Sequence, residues 1–132
     1  MMQYKYYTEE IKELKDNQVF VFGSNLAGRH GKGAALTAKR LFGAEYGVGL
    51  GVTGDCYAIP TKDQSLKSLS LFSIEQFIFY FKEYAHAHPE LEFIVTKVGC
   101  GLANYTNVQI APLFLGSPKN CVFHEDWRKY LE

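Results

Sequence analysis

The apolar positions of this chain change period several times, and each change marks an element. Val19–Phe22 is an unbroken run of β-branched and aromatic residues set between Asp16-Asn17 and Gly23. Such a run predicts a strand buried on both faces. Lys32–Phe42, rich in alanine and leucine, predicts a helix that Gly43 can close. Ser73–Ala87 carries Ile74, Phe77, Ile78, Phe81 and Ala85 at helical spacing, with Ser73 as the expected cap and Pro89 just beyond its end. Cys56–Pro60, Phe93–Val98 and Cys121–Phe123 read as further short strands. Val108–Leu115 reads as a short helix and Glu125–Leu131 as a last helical turn or two. Thr8–Lys15 reads as a short amphipathic helix with Ile11 and Leu14 on one side.

Strands alternating with helices predict an α/β fold: a small, mostly parallel central sheet covered on both faces, in three layers. No repeat, low-complexity tract or linker divides the chain, so a single domain over residues 1–132 is expected. In open sheets of this kind ligands collect at the carboxyl ends of the strands. The first strand runs into Gly23-Ser24-Asn25, the second into Thr61-Lys62-Asp63 and the third into Gly99-Cys100-Gly101. One shared site is the simplest expectation.

Composition narrows the partner. With 47% hydrophobic and 15% aromatic residues, the chain has material for one core, which argues against disorder. Lysine plus arginine equals aspartate plus glutamate at 14 each, so no broad field draws in duplex nucleic acid or an anionic membrane. Cys56, Cys100 and Cys121 are far apart and odd in number, a spacing that suits reduced thiols rather than a zinc or redox motif. Met1–Lys15 lacks the apolar stretch of a secretory signal, and no apolar run is long enough to span a bilayer. The expectation is a cytoplasmic protein with a small-molecule nucleotide as partner, without nucleic acid, membrane, cofactor or metal.

Two loops carry the candidate chemistry. Gly23–Gly33 links the buried strand to a helix and holds Gly23, Gly28, Gly31 and Gly33 beside Asn25, Arg29, His30 and Lys32. Glycines let a ligand approach the backbone closely, and the following helix N-terminus offers free N–H groups and a partial positive charge to phosphate. The loop lacks the lysine-serine or lysine-threonine pair of a P-loop and the glycine spacing of a dinucleotide fingerprint. Gly99–Tyr105 repeats the theme after the third strand, where successive N–H groups can form an anion nest and Tyr105 can flank a base or ribose. Cys100, between two glycines, fits either a nucleophile, with His124 or His30 as its base, or a small buried cysteine, the reading its size favours. Gly43–Gly54 fits either a mobile flap or a tight connection packed under the sheet.

At these loops the chain resembles the macro domain family, whose members bind ADP-ribose. Val19–Ala35 (VFVFGSNLAGRHGKGAA) resembles that family's strand, asparagine-bearing loop, glycine run and helix. Gly54–Pro60 (GDCYAIP) is similar to the strand returning along the ligand site, and Ile94–Tyr105 (IVTKVGCGLANY) to the strand and second phosphate loop. The likeness covers about the middle two-thirds of the chain, in the same order. It implies that Asn25 contacts the distal ribose, that Gly31, Lys32 and Gly33 line ribose and phosphate, that Gly99, Cys100, Gly101, Leu102 and Ala103 wrap the diphosphate, and that Tyr105 flanks the distal ribose. Gly23 and Ser24, at the end of the first strand, join the ligand-binding set, and Lys62-Asp63, not a hallmark of that family, joins it by position. Met1–Gln18 offers only Asp16, poorly placed, for the early aspartate that reads adenine in that family. The family includes silent binders and hydrolases. Hydrolysis of an ADP-ribosyl ester or terminal phosphate would use Asn25 to orient the ribose and His30 or Asp63 as base.

Overall fold

The computed structural model describes residues 3–132. Six strands, β1 (Lys5–Tyr7), β2 (Gln18–Asn25), β3 (Gly51–Thr53), β4 (Cys56–Lys62), β5 (Glu92–Val95) and β6 (Cys121–His124), form one sheet in the order β1-β6-β5-β2-β4-β3. All neighbours are parallel except β3 and β4, which form an antiparallel hairpin through Gly54-Asp55. The helices are α1 (Gly33–Leu41), α2 (Leu71–Ala87), α3 (Asn107–Ile110) and α4 (Arg128–Leu131), the last two preceded or followed by single 3-10 turns at Ala111–Phe114 and Glu125–Trp127. Among the described residues no helix is long and apolar enough to cross a membrane.

Alternation along the strands sorts the core into two clusters, because successive side chains point to opposite faces. Val19 and Val21 of β2 and Tyr57 and Ile59 of β4 join Ile74, Ile78, Phe81 and Ala85 of α2. Phe20 and Phe22 of β2 and Cys56 and Ala58 of β4 join Ala35 and Ala38 of α1. Val21 and Phe22 are both fully buried, which is why this run has no polar alternation. The first cluster also holds Phe114, Phe123 and Trp127, packed edge-on or tilted at 5.3–6.1 Å between ring centroids.

The expected elements shift in four places. Thr8–Lys15 is not helical. A segment this short cannot sustain a helix without strong packing, and its two apolar residues, Ile11 and Leu14, are used instead against the α1-side cluster. Helix α2 begins at Leu71, and its cap is Ser70 rather than Ser73: the Ser70 hydroxyl accepts the Ser73 N–H at 3.1 Å. Strand β5 stops at Val95, although the Thr96 N–H still bonds the Val21 carbonyl at 3.0 Å. The fourth difference is two strands the hydrophobic pattern did not signal, β1 and β3. They are edge strands of three residues, too short to show a period. Gly43 does close α1, with φ +81 and the Ala44 N–H folded back to the Ala38 carbonyl at 3.1 Å.

Candidate functional site

Strands β5, β2 and β4 are neighbours in the sheet, so their carboxyl ends open side by side. There the sheet is irregular: the β2–β4 register slips between Ser24 and Asn25, and the extra residue, Thr61, bonds the Ser24 carbonyl at 3.2 Å. The bulge spreads the two strand ends, and a cleft of about 1100 Å³ opens over them. Gly23 lets the second loop come near, since a Cβ there would stand 3.3 Å from the Gly99 nitrogen.

The cleft gathers residues from both glycine loops. Gly23, Ser24 and Asn25 form its floor; Gly31, Lys32 and Gly33 form one wall. Gly99, Cys100, Gly101, Leu102 and Ala103 form the other, with Tyr105 behind them and Lys62 at the β4 end. Asn25 organises the first loop. Its amide donates to the Arg29 carbonyl and its oxygen accepts the Arg29 N–H, both at 2.9 Å. That leaves one N–H and one lone pair of the side chain for a ligand.

Each loop also presents backbone donors without partners. Helix α1 starts with Lys32 as N-cap and no side-chain cap, and the N–H groups from Gly31 to Ala35 bond nothing among the described residues. In the second loop Cys100, Asn104 and Tyr105 turn their N–H groups inward to Lys97, Gly101 and Gly99, while those of Gly101, Leu102 and Ala103 stay free. Arg29, Lys32 and Lys62 add cationic side chains that make no ion pair among the described residues. Lys97, also on the wall, is shared with Asp126 at 2.8 Å. In general, unpaired amides at a helix start or in a nest, with cations near them, suit oxyanions.

The two residues read as candidate bases stand elsewhere. His30 is fully buried and outside the cleft, its ring edge-on to Phe22 at 5.3 Å and to Tyr46 at 6.3 Å. Burial holds its pKa below the ordinary value, with the nearby Val48 backbone opposing and Lys39 adding to the shift, and among the described residues neither ring nitrogen has a partner in good hydrogen-bond geometry. Asp63 does not line the cleft either. Its carboxylate accepts the N–H groups of Ser65 and Lys67 at 2.8 and 3.0 Å, building the turn that carries Leu66 to the rim at φ +65. A short polar side chain at a turn start does this routinely. Burial pushes the Cys100 thiol up to about 11 against the pull of Lys97, and its sulfur faces the Val98 carbonyl at 3.6 Å. His124 is engaged by the Asp126 N–H at 3.0 Å and does not line the cleft. Among the described residues no three His, Cys, Asp or Glu side chains gather as a metal-binding group.

Several lining residues escaped the sequence reading. Thr96 and Lys97 belong to the site because β5 ends early, and Thr106 and Asn107 because α3 starts beside the second loop. Tyr46 comes from the glycine-rich Gly43–Gly54 segment, where nothing in the sequence marks it. That segment is packed against the first loop: Gly47 N–H bonds the Gly28 carbonyl at 2.8 Å, and the Ser24 hydroxyl bonds the Gly49 carbonyl. It does not lie under the sheet: its residues Gly51–Thr53 form the edge strand β3. No protein-family model, curated protein or solved structure matches this chain.

Proposed function

We propose that the cleft binds ADP-ribose or a related ribose-phosphate nucleotide, in the manner of a macro domain. The reading rests above all on two separate runs of backbone N–H groups without a partner among the described residues, Gly31–Ala35 and Gly101–Ala103, in residues that line one cleft. A diphosphate offers oxyanions to both runs at once, with Arg29, Lys32 and Lys62 balancing its charge. Asn25, with one donor and one acceptor left, suits a ribose diol. Helices α1 and α2 packing against opposite faces of the sheet support a three-layer, macro-like architecture.

Binding without turnover is favoured over hydrolysis by where the candidate bases stand. His30 is sealed behind the loop, Asp63 is spent on a turn, and the Cys100 thiol stays protonated at neutral pH. Calorimetry with ADP-ribose tests the reading. Saturable heat and a rise in melting temperature on ligand addition are expected, and no heat at millimolar ligand would remove it. Release of phosphate from ADP-ribose 1″-phosphate, or of ADP-ribose from a modified protein, would restore the hydrolase reading.

A further inference from the structure

Four cations line the cleft, Arg29, Lys32, Lys62 and Lys97, and among the described residues no aspartate or glutamate lines it with them. The first three make no ion pair among the described residues. Lys97 differs. It stands at the root of the second glycine loop, where its carbonyl accepts the Cys100 N–H at 3.1 Å. Its ammonium donates to the carboxylate of Asp126, a residue outside the cleft, at 2.8 Å.

Asp126 is held in place by its own corner. Its N–H donates to His124 Nδ1 at 3.0 Å, and the next residue, Trp127, is fully buried with its indole N–H on the Asn107 side chain. Asn107 itself lines the cleft, so the carboxylate hangs one residue from a side chain anchored on the cleft wall. The Lys97 hydrogen bond keeps the Asp126 carboxyl below the usual carboxylate range, which leaves it charged at neutral pH. Its other near neighbour, His124 Nδ1, is 3.6 Å away. The Lys97 charge also acts on the wall: burial raises the Cys100 thiol, and Lys97 opposes the rise.

The ion pair is open to water, with 37% of the lysine side chain and 49% of the aspartate exposed. Pairs this exposed hold their partners by less than about a fivefold preference. A lysine changes partners by rotating a flexible four-carbon stem. A diphosphate in the cleft brings more negative charge than one carboxylate, and charge-assisted bonds to it are the stronger kind.

We propose that Asp126 is a built-in competitor for the ligand: it holds Lys97 in reserve, and a bound diphosphate takes that ammonium over as a fourth phosphate-binding cation. This rests on the reading of the cleft as a nucleotide site. The intact pair lowers affinity by the work of breaking it, and removing the carboxylate raises affinity only through Lys97.

The test is a double-mutant cycle on the full chain, read by calorimetry with ADP-ribose: wild type, Asp126→Asn, Lys97→Met and the double variant. Asp126→Asn is expected to bind about twofold to fivefold more tightly than wild type, and Lys97→Met about threefold to tenfold more weakly. The double variant should match Lys97→Met. Lys97→Met should also flatten the fall of affinity with added salt. Melting temperatures are expected to stay within about 2 °C of wild type, because the pair is exposed. Asp126→Asn binding no more tightly than wild type would overturn the inference, as would Lys97→Met binding as tightly as wild type. The same gain from Asp126→Asn in the Lys97→Met background would overturn it too, by making Asp126 a plain repulsive charge. Silence from all four proteins would instead strike the functional reading beneath it, and the inference with it.

Discussion

Gly49→Ala is the sharpest test of how the first loop is held. A methyl at Gly49 would stand 1.9 Å from the Asn25 carbonyl oxygen and 3.0 Å from its carbon. Both are backbone atoms, so no side chain can swing away. The same oxygen accepts the Gly28 N–H at 2.9 Å, and the Gly49 carbonyl accepts the Ser24 hydroxyl. Overpacking against backbone costs about 1–3 kcal/mol and a lost buried hydrogen bond about 1 kcal/mol, a total of about 2–4 kcal/mol. For a chain of this size that lowers the melting temperature by about 10 °C, read by circular dichroism. Gly47→Ala is the control. Its methyl meets nothing within 4 Å, and only the left-handed backbone, at φ +97, is strained, for about 1–2 kcal/mol. Gly49→Ala is also expected to weaken ADP-ribose binding, because relief of the clash moves Asn25. Melting of Gly49→Ala at or above the Gly47→Ala temperature would refute the packed connection and, with it, the rigid floor of the cleft.

Gly101→Glu should leave the melting temperature within about 2 °C, since a Cβ there meets nothing within 4 Å, yet place a carboxylate beside the unpaired amides of the second loop and, on the proposed reading, abolish nucleotide binding in calorimetry. Unchanged affinity would move the site elsewhere. His30 is held neutral by burial, so its contribution to stability is whole above the unfolded value of 6.5 and drains away as pH falls below it toward the depressed folded value, where the unfolded chain takes a proton the folded one refuses. Urea midpoints at about pH 7.5 and about pH 5.5 should therefore separate in the wild type and draw together in His30→Phe; equal separation in both would place the titration on another group. With its thiol near 11 instead of 9.0, Cys100 should be alkylated by iodoacetamide about a hundredfold more slowly than a free cysteine at neutral pH, followed by mass spectrometry. Rapid labelling would reopen the nucleophile reading.

What the sequence determined by itself are the elements whose pattern is local. Val19–Phe22 declares a buried strand, the spacing of Ile74, Ile78, Phe81 and Ala85 declares a helix, and glycines at Gly23–Gly33 and Gly99–Tyr105 declare loops that let a ligand near the backbone. Three residues of edge strand at β1 or β3 carry no such signal, because their pairing partners lie 117 positions away for one and across a turn for the other. Thr8–Lys15 had a helical pattern without the packing to keep it helical. The direction in which a polar side chain points is likewise a tertiary matter. His30 and Asp63 sit in or beside the right loops, yet one is drawn inward between Phe22 and Tyr46 and the other is consumed by its own turn. Only the sheet order set β5, β2 and β4 side by side and joined two distant loops, with their unpaired amides, over one cleft. Local chemistry made the loops; long-range pairing of strands made the site.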